Sequence, residues 1–148
     1  MPLKQYSKKR NLKKSGEPEA KIKKSKTQIF TIHKHHASHL HWDLRLEING
    51  VLKSWAVPKE PPTAKGLKRL AIEVEDHPLS YATFEGIIPE GNYGAGKVEI
   101  WDKGAYELIE KTQDKIIFKL NGKKLKGNFV LIKTKYGGKK KGWLWFKV

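Results

Sequence analysis

Apolar and polar residues alternate along much of this chain with a period of two, the signature of strands that bury one face. The clearest runs are residues 29–32, 40–48 and 51–57, followed by 69–75, where Leu70, Ile72 and Val74 point one way. Further strands are predicted at 97–102, 105–110, 115–120, 128–134 and 143–148. Turn chemistry separates them: Asn49-Gly50, the proline-rich residues 58–62, Asp102-Lys103-Gly104, Asn121-Gly122 and Gly137-Gly138. Asn-Gly is the strongest of these signals, because both central residues of a type I′ turn need positive φ. A two-residue loop there also sets the register. It pairs Leu44 with Trp55 and Trp42 with Val57 on the apolar face, and sets Asp43 against Ala56 and Arg45 against Ser54 on the other. No long helical period occurs, although residues 64–67 and the N-terminal segment have room for a short helix. Short strands at even spacing predict a mainly β fold, a compact antiparallel β-barrel with few short helices. Trp143 and Trp145 alternate with Leu144 and Phe146, so one of those pairs belongs to the barrel interior.

The alternation is missing from residues 1–27, which are polar and Lys-rich and include Gly16 and Pro18. They read as a basic N-terminal arm ahead of a single domain, residues 28–148. Residues 1–28 carry ten Lys and Arg against two Glu, and residues 121–148 carry nine Lys and no acid. The net charge of +16 therefore sits at the two ends of a nearly neutral middle. Such ends suit a polyanion, since each phosphate neutralised releases counterions, and nucleic acid is the expected partner. The alternative is that Lys-rich ends only keep a small domain soluble. The absence of cysteine excludes disulfides, thiolate zinc sites and cysteine nucleophiles. No apolar run approaches the roughly 18 residues of a membrane span, and the basic start is not followed by an apolar signal segment. The chain reads as a soluble, cytoplasmic monomer with no membrane partner.

Chemistry concentrates in one place. Five of the six histidines, His33, His35, His36, His39 and His41, fall within nine residues and lead directly into Asp43 and Arg45. In a strand over 40–48, His41, Asp43 and Arg45 share one face, and the loop through Ala37 and Ser38 can fold His35 back towards them. Two imidazoles and a carboxylate make a nitrogen and oxygen site for a divalent cation, with positions left open for water and substrate. Surface or hydrogen-bonded histidines are the plainer alternative. For His33, His36 and His39 the residues point to solvent or to a place behind the ligands. Arg45 brings a planar fork that fits a phosphate, and Arg69 and His77 share a parity on a later strand from which they could converge across the barrel. Gly91, Gly94 and Gly96 read as a tight turn rather than a phosphate loop, because a strand follows where a nucleotide loop has a helix. Tyr81 and Tyr93 are suited to stack on a base, to donate to a phosphate, or to rim the core.

Four segments carry a family resemblance: KHHASHLHWDLRLE at 34–47, LKSWAVPK at 52–59, VEDHPLSY at 74–81 and FEGIIPEGNYGAG at 84–96. Together they resemble the 3′-phosphoesterase domain of bacterial DNA ligase D and its stand-alone archaeal relatives, over nearly the whole chain. The resemblance implies a compact β-barrel and a manganese-dependent enzyme, with other divalent cations possible, that trims 3′ ends during non-homologous end joining. It implies two activities: removal of a 3′-terminal ribonucleoside by a phosphodiesterase step, then removal of the remaining 3′-phosphate. It assigns His35, His41 and Asp43 to the metal, and Arg45, Lys59, Arg69, His77 and Tyr81 to phosphate contacts, with His77, Arg45 and Tyr81 the expected catalytic group. In the arm, Arg10 and Glu17 match positions that support activity, whereas Asn11 stands where the family commonly has Asp. His33, His36 and His39 stand in place of the usual Gln, Asp and Arg, differences that bear on the balance between the two activities. The implied partners are DNA or RNA/DNA primer-template 3′ ends. No Lys-x-Asp-Gly nucleotidyl-transfer motif occurs, so DNA ligase and the other end-joining proteins are expected to act in trans. Two readings from other classes stand against this one. The first is a non-catalytic nucleic-acid-binding β-barrel with incidental histidines. The second is a two-histidine-one-carboxylate iron oxygenase, which leaves Arg45, Arg69 and the basic ends without a purpose.

Overall fold

Asn49 and Gly50 have φ of 54° and 83°, as a type I′ turn requires. The hairpin they close has the register predicted from the loop length: Trp42 opposite Val57, Asp43 opposite Ala56, Leu44 opposite Trp55 and Arg45 opposite Ser54. The computed structural model describes residues 28–92, 95–134 and 141–148. Its strands are β1 (Gln28–His36), β2 (Leu40–Ile48), β3 (Val51–Val57), β4 (Lys68–Pro78), β5 (Gly86–Ile88), β6 (Gly96–Lys111), β7 (Lys115–Asn121), β8 (Lys126–Lys133) and β9 (Gly142–Lys147), with a 3-10 helix at Leu79–Thr83. The hydrogen-bonded order is β1-β2-β3-β4-β9-β8-β7-β6-β5. A further β1–β6 pairing closes eight of these strands into an antiparallel barrel and leaves β5 as a short appendage on β6. Closure removes the unpaired strand edges that an open sheet of this length would present.

The inward faces fill the barrel with large side chains. Leu44, Trp55, Phe118, Phe129 and Trp145 are wholly inaccessible to solvent, and Phe30, Ile32, Leu46, Leu120 and Trp143 complete the packing. Of the two alternating pairs in β9, Trp143 and Trp145 form the interior. Burying a large apolar side chain is worth about 1.5–3 kcal/mol relative to exposure, so this row is a principal source of stability.

Three details differ from the sequence reading. Residues 97–102 and 105–110 are not two strands, because β6 runs unbroken from Gly96 to Lys111. Asp102 is turn-like in type, but its buried carboxylate serves a different loop, accepting from the backbone N–H groups of Lys123, Lys124 and Leu125 at 2.8–3.1 Å and from Lys103 at 2.9 Å. A Cβ at Gly122 would collide with that carboxylate and with the Phe30 ring, so the loop needs glycine there. Residues 64–67 form a turn, with Leu67 N–H donating to the Ala64 carbonyl at 3.4 Å, and the short helix lies at Leu79–Thr83 instead. Finally, the register of β3 on β4 passes from Ser54 opposite Val74 to Leu52 opposite His77, skipping a residue on β4. That irregularity breaks the shared parity of Arg69 and His77. Arg69 pairs with Trp145 and has the parity of the core residue Ala71, while His77 joins the outer face beside Ser54. The arm residues Arg10 and Glu17, together with Tyr93, Gly94 and Gly137-Gly138, lie outside the described residues.

Candidate active site

β1 is longer than its apolar run suggests, so His33 and His35 are strand residues. Antiparallel pairing sets Thr31 opposite Arg45, His33 opposite Asp43 and His35 opposite His41. Their neighbours Phe30, Ile32, Leu44 and Leu46 point into the barrel, which places this polar row on its outer surface. The row is nonetheless buried, with His33 0%, Arg45 4% and Asp43 6% exposed. The 3-10 helix and the chain that follows it form the cover. Thr31 Oγ1 donates to the Ala82 carbonyl at 3.0 Å, and His33 Nε2 lies 3.0 Å from the Phe84 carbonyl. What is left open is a cleft of about 370 Å³ walled by His35, His41, Asp43, Arg45, His77 and Tyr81.

His35, His41 and Asp43 each offer one ligand atom, and these atoms lie within 4.8 Å of one another. Asp43 Oδ2 is 3.3 Å from His41 Nε2 and 3.8 Å from His35 Nδ1. His41 Nδ1 is 3.0 Å from the His39 carbonyl. Donating there fixes the ring with Nε2 towards Asp43, the way a backbone acceptor orients a metal-binding imidazole. Two nitrogens and an oxygen, approaching from one side and opening on a cleft, fit a divalent cation. The hydrogen bond that protonated His41 donates to the Asp43 carboxylate raises the His41 pKa against the effect of burial. Burial pushes the Asp43 carboxyl up, but His41 and Arg45 bring it below the usual carboxylate range.

Arg45 is the hub of the cleft. Its Nε donates to His33 Nδ1 at 3.0 Å, one terminal nitrogen donates to Ser54 Oγ at 2.8 Å and lies 3.1 Å from His77 Nδ1, and the other donates to Asp43 Oδ2 at 3.4 Å. The guanidinium also lies 4.9 Å from the Tyr81 ring centroid. Most of the fork predicted to clasp phosphate is thus committed to protein partners, and its positive charge is held rigidly in the cleft wall. Tyr81 packs against His77 with ring centroids 4.8 Å apart and against His33 at 5.4 Å. Burial, and then Arg45, lower the His77 pKa. His77 Nδ1 also lies 3.0 Å from the Glu75 carbonyl. The two contacts call for opposite tautomers: accepting from Arg45 leaves the proton on Nε2, and donating to Glu75 leaves it on Nδ1.

How deeply His33 is built in has no mark in the local pattern of residues. Because arginine only donates, His33 Nδ1 accepts from Arg45 and its proton sits on Nε2, donated to Phe84. Burial, and then Arg45, lower its pKa from 6.5 to about 4. An unfolded His33 takes up a proton near pH 6.5, whereas the folded one resists until about pH 4. The His33 share of stability is therefore full above pH 6.5, declines as the pH falls towards 4, and levels off below it. The full span is worth roughly 3 kcal/mol. His33→Gln, which can still accept from Arg45 and donate to Phe84, is expected to fold and to lose this share of the pH dependence. His33→Leu, with both partners unsatisfied, is expected to lose about 2–3 kcal/mol at neutral pH. Urea unfolding of the three proteins at about pH 7.5 and about pH 5 checks both expectations.

The remaining sequence candidates lie elsewhere. Arg69 Nε donates to the Glu60 carbonyl at 2.6 Å, and Lys59 is exposed beyond the end of β3; neither walls the cleft. His36 pairs with Glu99 at 2.7 Å on the surface, and His39 contributes its carbonyl to His41. Gly91 has φ of 90° in a turn where Asn92 N–H donates to the Pro89 carbonyl, in keeping with the tight-turn reading.

Residues 33–133 match the family model of the DNA ligase D 3′-phosphoesterase domain. The chain belongs to this family. It is 46% identical over 154 aligned residues to the multifunctional non-homologous end joining protein LigD of Pseudomonas aeruginosa, an alignment covering 99% of the chain and 18% of that protein. It is 48% identical to LigD of Mycobacterium tuberculosis over 89% of the chain and 18% of the relative, and 43% identical to LigD of Mycolicibacterium smegmatis over 88% and 19%. The chain thus spans about a fifth of the length of these relatives. The stretch matched to the phosphoesterase family holds every wall residue of the cleft named above. Among the described residues, no helix is long and apolar enough to cross a membrane.

Proposed function

We propose that this chain is a manganese-dependent phosphoesterase that trims the 3′ ends of DNA or RNA/DNA primer-templates during end joining, in concert with a DNA ligase and other end-joining proteins. The observation that carries the reading is the union, in one cleft, of a His35-His41-Asp43 ligand set with a buried guanidinium, a histidine and a tyrosine. Membership of the 3′-phosphoesterase family and the end-joining names of the relatives support the choice of substrate.

A divalent cation held by His35, His41 and Asp43 would supply the charge that polarises a phosphoryl oxygen and acidifies a water. Arg45 adds a fixed positive charge, pre-oriented by His33, Ser54 and Asp43, for the negative charge that builds on the phosphoryl group. Tyr81 holds His77 in place and offers a phenol whose pKa burial raises, so it remains a donor. In the tautomer that accepts from Arg45, His77 presents Nε2–H and can donate that proton to the leaving oxygen. Arg10 and Glu17 of the arm, with Lys59 and Arg69, are proposed to contact the substrate beyond the cleft.

The test is a 5′-labelled primer ending in one ribonucleotide, annealed to a template and followed with manganese under single-turnover conditions. The expected result is loss of the terminal nucleoside followed by loss of the 3′-phosphate, with an all-deoxy end losing its nucleoside much more slowly. His77→Ala is expected to slow nucleoside loss more than phosphate loss, because proton donation matters most where the leaving alkoxide is more basic. A folded, manganese-loaded protein that processes neither end would overturn the reading.

A further inference from the structure

A second cleft, of about 510 Å³, opens on the outer surface of the barrel, where Ala82 and Thr83 of the 3-10 helix form part of its wall while Tyr81 of the same helix faces the metal-ligand cleft. Its floor is largely apolar, with Ile29 of β1 and Trp101 of β6, and exposed Lys103, Lys123 and Lys124 stand around it. Trp101 owes its position to a bulge. The β1–β6 register passes from Ile32 opposite Asp102 to His33 opposite Ile100, so Trp101 is the extra residue, without a partner on β1. Bulges re-aim side chains in this way. The indole packs partly against the core, while Lys124 Nζ lies 4.5 Å from its ring centroid. Asp102 fixes the lysines beside it by accepting from the backbone N–H groups of Lys123 and Lys124.

The acids near this cleft are engaged with backbone. Asp102 serves the 123–125 loop, Glu47 accepts from Ile29 N–H at 3.0 Å, and Glu85 accepts from Ile100 N–H at 2.8 Å. Of the charged residues that line the cleft, Lys103, Lys123 and Lys124 are exposed and Asp102 is buried, so the lysines set the sign of the rim.

We propose that this cleft binds an unpaired nucleotide of the nucleic-acid substrate, its base against the apolar wall at Trp101 and its flanking phosphates on Lys103, Lys123 and Lys124. The proposal rests on the reading of the neighbouring cleft as a site for nucleic-acid ends. An aromatic surface bordered by cations is a stacking platform, and only an unpaired, unstacked base offers its ring face to one. An exposed cation–π contact is weaker than base–aromatic stacking, so Lys124 yields the ring to a base and turns to the phosphate. The basic segment 1–27, with ten Lys and Arg against two Glu, has the same sign as the rim and is a poor occupant.

The test measures binding of the full chain to a labelled duplex carrying a normal single-stranded overhang, an abasic overhang, or none. The wild type is expected to bind the normal overhang about tenfold more tightly than the abasic one, and Trp101→Ala to erase that preference. Should Trp101→Ala fail to fold, the combined Lys103→Ala, Lys123→Ala, Lys124→Ala protein, changed only at exposed positions, carries the test. Its slope of log affinity against log salt on the normal overhang is expected to fall in magnitude by about 2, from roughly 0.7 per lost phosphate contact. Equal affinity of the wild type for normal and abasic overhangs, or an unchanged slope in the lysine variant, overturns the proposal. So does a dimer that Trp101→Ala dissociates, which would give the cleft to a second copy of the chain. Cleavage is measured in the same samples. Base preference without 3′-end cleavage removes the enzymatic reading and leaves the cleft standing, whereas cleavage without base preference removes the cleft alone.

Discussion

Arg45→Lys is expected to lose roughly 10²–10³-fold in single-turnover rate, although it keeps the positive charge. The guanidinium holds His33, Ser54, His77 and Asp43 at once, with donor distances of 2.8–3.4 Å. An ammonium on a flexible stem has three donors without the planar spread to reach four partners, so the exchange is conservative in charge only. His77 loses the donor that favours its Nε2–H tautomer, and His33 is left with an unsatisfied, buried Nδ1. Hydrogen bonds to a charged group are worth about 1.5–3 kcal/mol each, and a net loss of about 2–3 kcal/mol of stability is expected after partial compensation by the lysine. Urea unfolding and single-turnover cleavage of the same preparation check the two effects together. A variant within threefold of the wild type in rate would show that Arg45 is only a structural cation.

Asp43→Asn is expected to be the more severe lesion. Asp43 is 6% exposed, and its Oδ2 accepts from Arg45 and lies 3.3 Å from His41 Nε2 and 3.8 Å from His35 Nδ1. An amide at this place offers no anion to a cation, and the loss of affinity should exceed the roughly 10–100-fold typical of losing only an outer partner of a metal ligand. The Arg45 charge also loses its carboxylate, and breaking a buried pair costs about 3–5 kcal/mol at the upper end. The pH dependence has a definite sign. The folded Asp43 pKa lies below the ordinary carboxylate value, so its contribution is present at neutral pH and above the unfolded pKa. It is lost as the pH falls through the lower folded value. Asp43→Asn should therefore lose stability at neutral pH and show a flatter acid limb than the wild type. A folded variant with wild-type manganese affinity would remove Asp43 from the ligand set.

The hairpin that carries the site was legible because its signal is local. Asn49-Gly50 fixes the turn, the turn fixes the register, and a period of two then places His41, Asp43 and Arg45 together. His35 was within reach of the same argument, since the short loop brings it directly opposite His41. Features that depend on distant chain were not legible. Asp102 looks like a turn residue until the 123–125 loop is seen to use its carboxylate. The skipped residue between Val74 and His77 has no sequence mark, yet it decides that His77 and not Arg69 reaches the cleft. His33 has the parity of the metal face, but its burial comes from Phe84, 51 residues further along the chain. Helix and loop covers of this kind arise from packing rather than from local pattern, and a single strand's alternation carries no information about them.

The central claim, that His35, His41 and Asp43 bind one divalent cation, is tested most directly by titrating manganese into the full metal-free chain, with electron paramagnetic resonance reporting free and bound ion. The expected result is one bound ion per chain, with nitrogen couplings from two histidines in the bound spectrum, and loss of that species in both His41→Ala and Asp43→Asn. Bound manganese without nitrogen couplings, or with unchanged affinity in those two variants, would contradict the account.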